Sequence, residues 1–158
     1  MHFTVSAIIP VLERIVLTLW VGGLWVTGLV LAPVLFASFQ RVFAGDIAGR
    51  LFTAMALLGM VCAVLLLVLA ALRCRARLWR DWRALLVVAM LAITATGEFV
   101  LASRMRALKQ VAAQHAQDSG LRSEFGILHG VSSALYLSGA VLGLVLVVAG
   151  SRPAQDGN

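Results

Sequence analysis

Four long stretches of the chain are apolar and almost free of fixed charge: residues 15–39, 51–72, 84–103 and 125–150. Glu98 interrupts the third, and His129 is the imidazole inside the fourth. A helix needs about 20 apolar residues to cross a hydrocarbon core of about 30 Å. It also satisfies its own backbone hydrogen bonds, which lipid cannot do. The pattern therefore predicts four spans, over residues 12–39, 49–72, 82–103 and 125–150. Short connections make neighbouring spans antiparallel. The expected fold class is all-α, an integral membrane antiparallel four-helix transmembrane bundle, in a single domain over residues 1–158. The first stretch reads as a retained span and not as a cleaved signal peptide. Its apolar run outlasts an h-region of about 7–15 residues, and Glu13 and Arg14 stand directly before it.

Composition narrows the class further. Hydrophobic residues make up 61% of the 158 and charged residues 13%, with a mean hydropathy of +0.98. Soluble domains run at about 45–50% apolar and about 25% charged. A water-soluble globule of this size could not hide so much apolar surface, and a disordered chain would lack the polar residues to stay solvated. The net charge of +6 would suggest nucleic acid in a soluble domain. Here the charges lie between the spans, with Arg73, Arg75, Arg77, Arg80 and Arg83 in one short segment. No aromatic-interleaved basic surface accompanies them, so the expected partner is the lipid bilayer and not nucleic acid. The arginine-dense segment is hard to translocate, which places it with both termini in the cytoplasm, in the cell's inner membrane.

Candidate chemistry sits on the last two spans. At about 100° per residue, Gly126, His129, Ser132, Ser133, Tyr136, Gly139, Ala140 and Gly143 fall within about 140° of arc on the fourth. The rest of that helix is aliphatic. In a bilayer the aliphatic side meets lipid and the small side meets other helices, so His129, Ser133 and Tyr136 are expected to point inward. Such a face is either plain packing or the lining of a polar cavity, where an imidazole can titrate, relay protons or bind metal. Glu98 lies well inside the third span, where an ionised carboxylate costs about 2.5–3.5 kcal/mol on insertion scales. Antiparallel geometry brings it to the same membrane face as His129. His129, Arg104, Arg106 and Arg50 are its candidate partners, in a structural ion pair or in a proton or ion site.

The first two spans read as packing elements. Gly22 and Gly23 allow close approach, Trp25 shares a face with Pro33, and Pro33 deprives the Leu29 carbonyl of its helical donor and kinks the helix. Gly45 and Gly49 form a small pair four residues apart, with Asp46 and Arg50 spaced for an exposed ion pair. Gly126 and Gly130 are expected to pack in the fourth span. Residues 104–118 continue the third helix beyond the membrane, with 105–117 rich in helix formers, and Ser119-Gly120 ends it.

No phosphate-binding glycine loop, metalloprotease histidine pair or nucleophile elbow is present. The three histidines and the two cysteines are too scattered for a metal set. No enzyme activity, cofactor or metal site is expected on these grounds. The motifs Trp20-Val-Gly-Gly-Leu-Trp25, Ala32-Pro33-Val-Leu-Phe36, Ala44-Gly-Asp-Ile-Ala-Gly-Arg-Leu-Phe52 and Phe125-Gly-Ile-Leu-His-Gly-Val-Ser-Ser133 occur in that order. Together they resemble the bacterial members of the transmembrane-protein-205-like family, a domain of unknown function. The resemblance implies a four-span helical membrane protein and carries no agreed activity. The leading expectation is a polytopic inner-membrane protein in small-solute or ion transport or efflux. Glu98, His129, Ser133, Tyr136 and Arg50 are its interior polar candidates, in a homo-oligomer. The alternatives are a metal- or haem-binding membrane protein and a scaffold subunit of a membrane complex.

Overall fold

The computed structural model describes residues 5–74, 81–114 and 119–150. Six α-helices in it line up as four long rods. The first rod is α1 (Val5–Val26), a π-helical stretch Thr27–Leu31, and α2 (Ala32–Ser38). The second is α3 (Arg41–Cys74). The third is α4 (Trp82–Ala95), a second π-helical stretch Thr96–Ala102, and α5 (Ser103–Gln114). The fourth is α6 (Ser119–Gly150). Each rod contains a segment long and apolar enough to span a bilayer: Ile8–Ser38, Arg41–Arg73, Trp82–Gln110 and Ser123–Ala149. Among the described residues there is no β-strand.

The turns between rods follow local chemistry. Phe39 adopts an extended backbone (φ −130°, ψ 160°) while its N–H still closes on the Leu35 carbonyl, so the chain reverses within Phe39 and Gln40. Asp81 caps α4 by accepting from the Arg83 N–H at 3.0 Å. Ser119 and Gly120 open α6 instead of ending the third helix. Serine is at home at a helix start as well as in a turn, so its presence alone does not say which side of a break is helical.

The rods pack in a ring. The first rests on the second and fourth, and the third rests on the second and fourth. Sequential neighbours touch, as expected of an up-down-up-down bundle with short connections. On the first rod the inward line is Glu13, Leu17, Trp20, Leu24 and Thr27, alternating steps of four and three as a helix-facing stripe must. Trp20, Leu24, Cys62, Ala63, Leu66, Val87, Met90, Ala140 and Leu146 form the centre of the core. Trp20 is 0% exposed. Large aliphatic side chains such as Ile15, Leu29, Val64, Val88 and Val141 cover the outside. Lipid tails are as apolar as leucine, so close packing holds these helices together, not escape from water.

Small residues set that packing, and they are only in part the ones the motif spacing favoured. A Cβ on Gly59 would stand 2.5 Å from Trp20 Nε1. One on Gly143 would meet Val21 at 2.8 Å, and one on Gly28 would meet the Tyr136 ring at 3.0 Å. Gly23 touches the flexible end of Met55. Gly22, Gly45, Gly49, Gly126 and Gly130 have no atom within 4 Å of such a Cβ, so within this bundle they pack against nothing. Small residues mark tolerance of close approach on any side of a helix, and only the rotation of each rod decides which are used. Trp25 is half-buried and belongs to the rim of the core.

Candidate functional site

Glu98 is buried, with 9% of its surface exposed, inside the π-helical stretch Thr96–Ala102. A π turn carries more residues per turn than an α turn and so re-aims the side chains within it. The irregularity is locally compensated. The Ser103 N–H goes to the Val100 carbonyl, and Ser103 Oγ covers the Phe99 carbonyl at 2.6 Å and that of Val100 at 2.9 Å. The turn delivers Glu98 to the interface with α3. There Thr53 Oγ1 donates to its carboxylate, 3.1 Å from each oxygen.

The ionic partner of Glu98 is Arg106, whose Nη1 donates to Oε1 at 3.0 Å. Arg106 lies two turns further along the same rod. Side chains lean toward the N-terminus of their helix, and a long arginine can bury its stem while its head stays near water. The Arg106 side chain is 56% exposed. Glu98 is thus a carboxylate in an apolar bundle held by one hydroxyl and one guanidinium that reaches in from the membrane end. On the same face, Lys109 Nζ donates to Asp46 Oδ1 at 2.8 Å, tying α5 to the start of α3. Asp46 pairs with Lys109 and not with Arg50, because the third rod runs past the start of α3.

The other expected site residues are placed as follows. Arg50 and Arg104 are exposed, and Glu98 takes Arg106 in their stead. His129 is exposed and stacks on Phe125, with centroids 6.4 Å apart and planes 6° from parallel. It does not join Glu98. Ser133 is exposed and its hydroxyl returns to the His129 carbonyl at 2.9 Å. Tyr136 turns inward: its hydroxyl donates to the Leu24 carbonyl at 2.6 Å, its ring lies over Gly28, and Phe52 meets that ring edge-on at 5.0 Å. The packed side of α6 runs through Ser132, Tyr136, Gly139, Gly143 and Leu146. His129, Ser133 and Gly126 therefore lie away from the interior to which the small-polar arc assigned them, and so does Gly130, expected to pack. The arc was broad, and the bundle uses one edge of it.

Pro33 shows a related effect in the first rod. Its ring removes an N–H and crowds the preceding carbonyls. The helix answers with the π-helical stretch Thr27–Leu31, in which the Ala32 N–H reaches back to Thr27. Buried Thr27 and the Tyr136–Leu24 contact sit at this disturbance. Thr53 and Gly28 escaped the sequence reading. A signal for Thr53 was its place one turn after Arg50, as a hydroxyl in an apolar run near the level of Glu98. Gly28 had no signal beyond being small.

At the opposite end of the bundle, Arg73 bridges two carboxylates. Its Nη1 donates to Glu13 Oε2 at 3.3 Å and its Nη2 to Asp81 Oδ2 at 3.1 Å. This joins the first three rods where α1 enters and α3 leaves. Among the described residues no three His, Cys, Asp or Glu side chains gather as a metal site would require.

Fold and site together define a small polytopic α-helical membrane protein with a buried, arginine-paired carboxylate. Residues 15–114 match a family described as a domain of unknown function, DUF4149, and the chain belongs to that family. The match takes in Thr53, Glu98 and Arg106 and stops before α6. No curated protein and no solved structure matches the chain.

Proposed function

We propose that this protein is a non-enzymatic inner-membrane transporter of a small solute or ion, with Glu98 as the carboxylate that receives the positive charge. The observation that carries the reading is the setting of Glu98. An ionised carboxylate inside a span is expensive, and intramembrane carboxylates commonly mark ion or proton pathways. Here its charge is met by an arginine whose own side chain is more than half exposed, an arrangement that can release. Thr53 donates to the carboxylate and keeps its own lone pairs for an incoming cation. The cavity at the other end of the bundle measures about 40 Å³, too small for a through-pathway, so the proposal includes a homo-oligomer. The order of the motifs from Trp20 to Ser133 supports placing the chain among bacterial transmembrane-protein-205-like proteins. The arginine-dense 73–83 segment supports cytoplasmic termini.

The test is flux into proteoliposomes under gradients of protons, sodium and potassium, read with ion-sensitive dyes. Wild-type protein should exceed empty vesicles for at least one of them. Glu98→Gln should lose flux by about tenfold or more, as expected when an intramembrane ion site loses its charge, with helix content and monodispersity unchanged. Flux no greater than empty vesicles for all three ions, or undiminished in Glu98→Gln, refutes the reading.

A further inference from the structure

We propose that the seam between α3 and the third rod, at the Glu98 end, holds the headgroup of an anionic phospholipid, with Arg50 as its anchor and the outer face of α3 as the track for an acyl chain. Arg50 lies on α3 between Asp46 and Thr53. Asp46 accepts from Lys109, and Thr53 donates to Glu98, which also holds Arg106. Arg50 therefore stands between two rungs that join α3 to the third rod, and it is exposed. Each rung matches one carboxylate with one cation. Arg50 has no such match: among the described residues it makes no ion pair.

Three observations select the ligand. The first is charge. The described side chains at this end set Arg41, Arg50, Arg104, Arg106 and Lys109 against Asp46, Glu98 and Glu124, five cations against three carboxylates, so two positive charges are unmatched. Donors are also to spare. Arg106 spends Nη1 on Glu98 and Lys109 spends one N–H on Asp46, while Arg50 spends none. A guanidinium fork fits two oxygens of a phosphate. The second observation is depth. Arg50 and Arg73 bound the charge-free run of α3 and stand about 35 Å apart at about 1.5 Å per residue. The hydrocarbon core is about 30 Å thick, so with Arg73 at one polar boundary Arg50 reaches the other, at the level of the lipid phosphates. The third is the face below it. Leu57, Val61, Val64 and Val68 follow Arg50 along one side of α3, and each is between 50% and 57% exposed. A free phosphate would use the arginine and leave this face idle, whereas a lipid uses both. The inference does not rest on transport.

The test reads lipid preference at this face. A fluorophore is attached at Leu57→Cys in a Cys62→Ala, Cys74→Ala background. Its quenching is measured in vesicles that mix phosphatidylglycerol with phosphatidylcholine, one or the other brominated in mid-chain. Phosphatidylglycerol should be preferred about fivefold or more, the scale of one basic residue at an anionic surface. The same label at Val131→Cys, on the exposed side of α6, should show a smaller preference. Arg50→Gln should bring position 57 down to the level of position 131. Arg14→Gln, an equal loss of charge at the opposite end, should leave position 57 unchanged. Inorganic phosphate at the concentration of the lipid should not displace it. Equal preference at the two labelled positions, or equal losses in Arg50→Gln and Arg14→Gln, means general surface attraction and overturns the proposal. Displacement by inorganic phosphate overturns it too, since the acyl track would then count for nothing. If Arg50→Gln does not fold, the comparison of positions 57 and 131 decides. Flux that fails while this preference holds refutes the transport reading alone.

Discussion

Trp20 keeps its indole fully buried because Gly59, on the facing rod, has no Cβ. The same relation recurs between Tyr136 and Gly28, and between Val21 and Gly143. In each case a large side chain occupies volume that any other residue on the partner helix would claim. Gly59→Ala should therefore cost about 1–3 kcal/mol, the usual range for overpacking, since the rigid indole has no open side to move into. Gly22→Ala is the control. It meets nothing, and the gain in helix propensity should raise stability by about 0.5–1 kcal/mol. Unfolding midpoints in mild detergent, read by circular dichroism, separate the two. Equal midpoints would mean that Trp20 does not rest on Gly59.

Two of the rods are interrupted by π turns, and a polar contact lies at or beside each. The stretch before Pro33 begins three residues beyond the Leu24 carbonyl that Tyr136 finds, and the stretch Thr96–Ala102 turns Glu98 toward Thr53. Because Arg106 lies on the continuation of the same rod, its bond to Glu98 holds α5 in line with α4. Removing Arg106 alone leaves a buried carboxylate with one donor. For a fully buried pair that costs about 3–5 kcal/mol; with the Arg106 side chain more than half exposed, about 1–2 kcal/mol is expected, between that range and the one for exposed pairs. Arg106→Gln should thus destabilise more than Glu98→Gln, and the double variant should recover part of the loss. A thermodynamic cycle over the four proteins measures the coupling, and a coupling of zero would remove the pair from the account. Lys109→Ala, breaking an exposed pair with Asp46, should change stability by less than about 1 kcal/mol.

At the scale of the whole molecule, the bundle has two distinct polar ends. One carries Asp46, Glu98, Arg106 and Lys109, and the other carries Glu13, Arg73 and Asp81. Asp46 and Cys74 stand near opposite ends of α3, about 42 Å apart at 1.5 Å per residue. That distance spans a bilayer. In a Cys62→Ala background, an impermeant thiol reagent on intact cells should label a cysteine introduced at Asp46 once Cys74 is replaced. It should label Cys74 only after lysis. The reverse pattern would invert the orientation proposed here, and labelling of both from one side would contradict the four-span arrangement. Cys62 is buried in the core and should resist the reagent in the folded protein.

The number of spans and their antiparallel order follow from the sequence alone. Apolar length against bilayer thickness decides the first, and short connections decide the second. That Glu98 needs a partner was equally plain from its position in an apolar run. The rotation of each helix about its axis was not. In water, an apolar stripe against a polar background marks the packed side. In lipid, both the packed side and the outer side are apolar, so glycines and hydroxyls at Gly126, Gly130 and Ser133 look like packing residues while facing outward. The π turns then shift the register of the first and third rods away from a regular 3.6-residue count. Only the tertiary structure could select Arg106 over Arg104, Arg50 and His129, because that choice depends on one turn of irregular helix and on which side of α3 faces it.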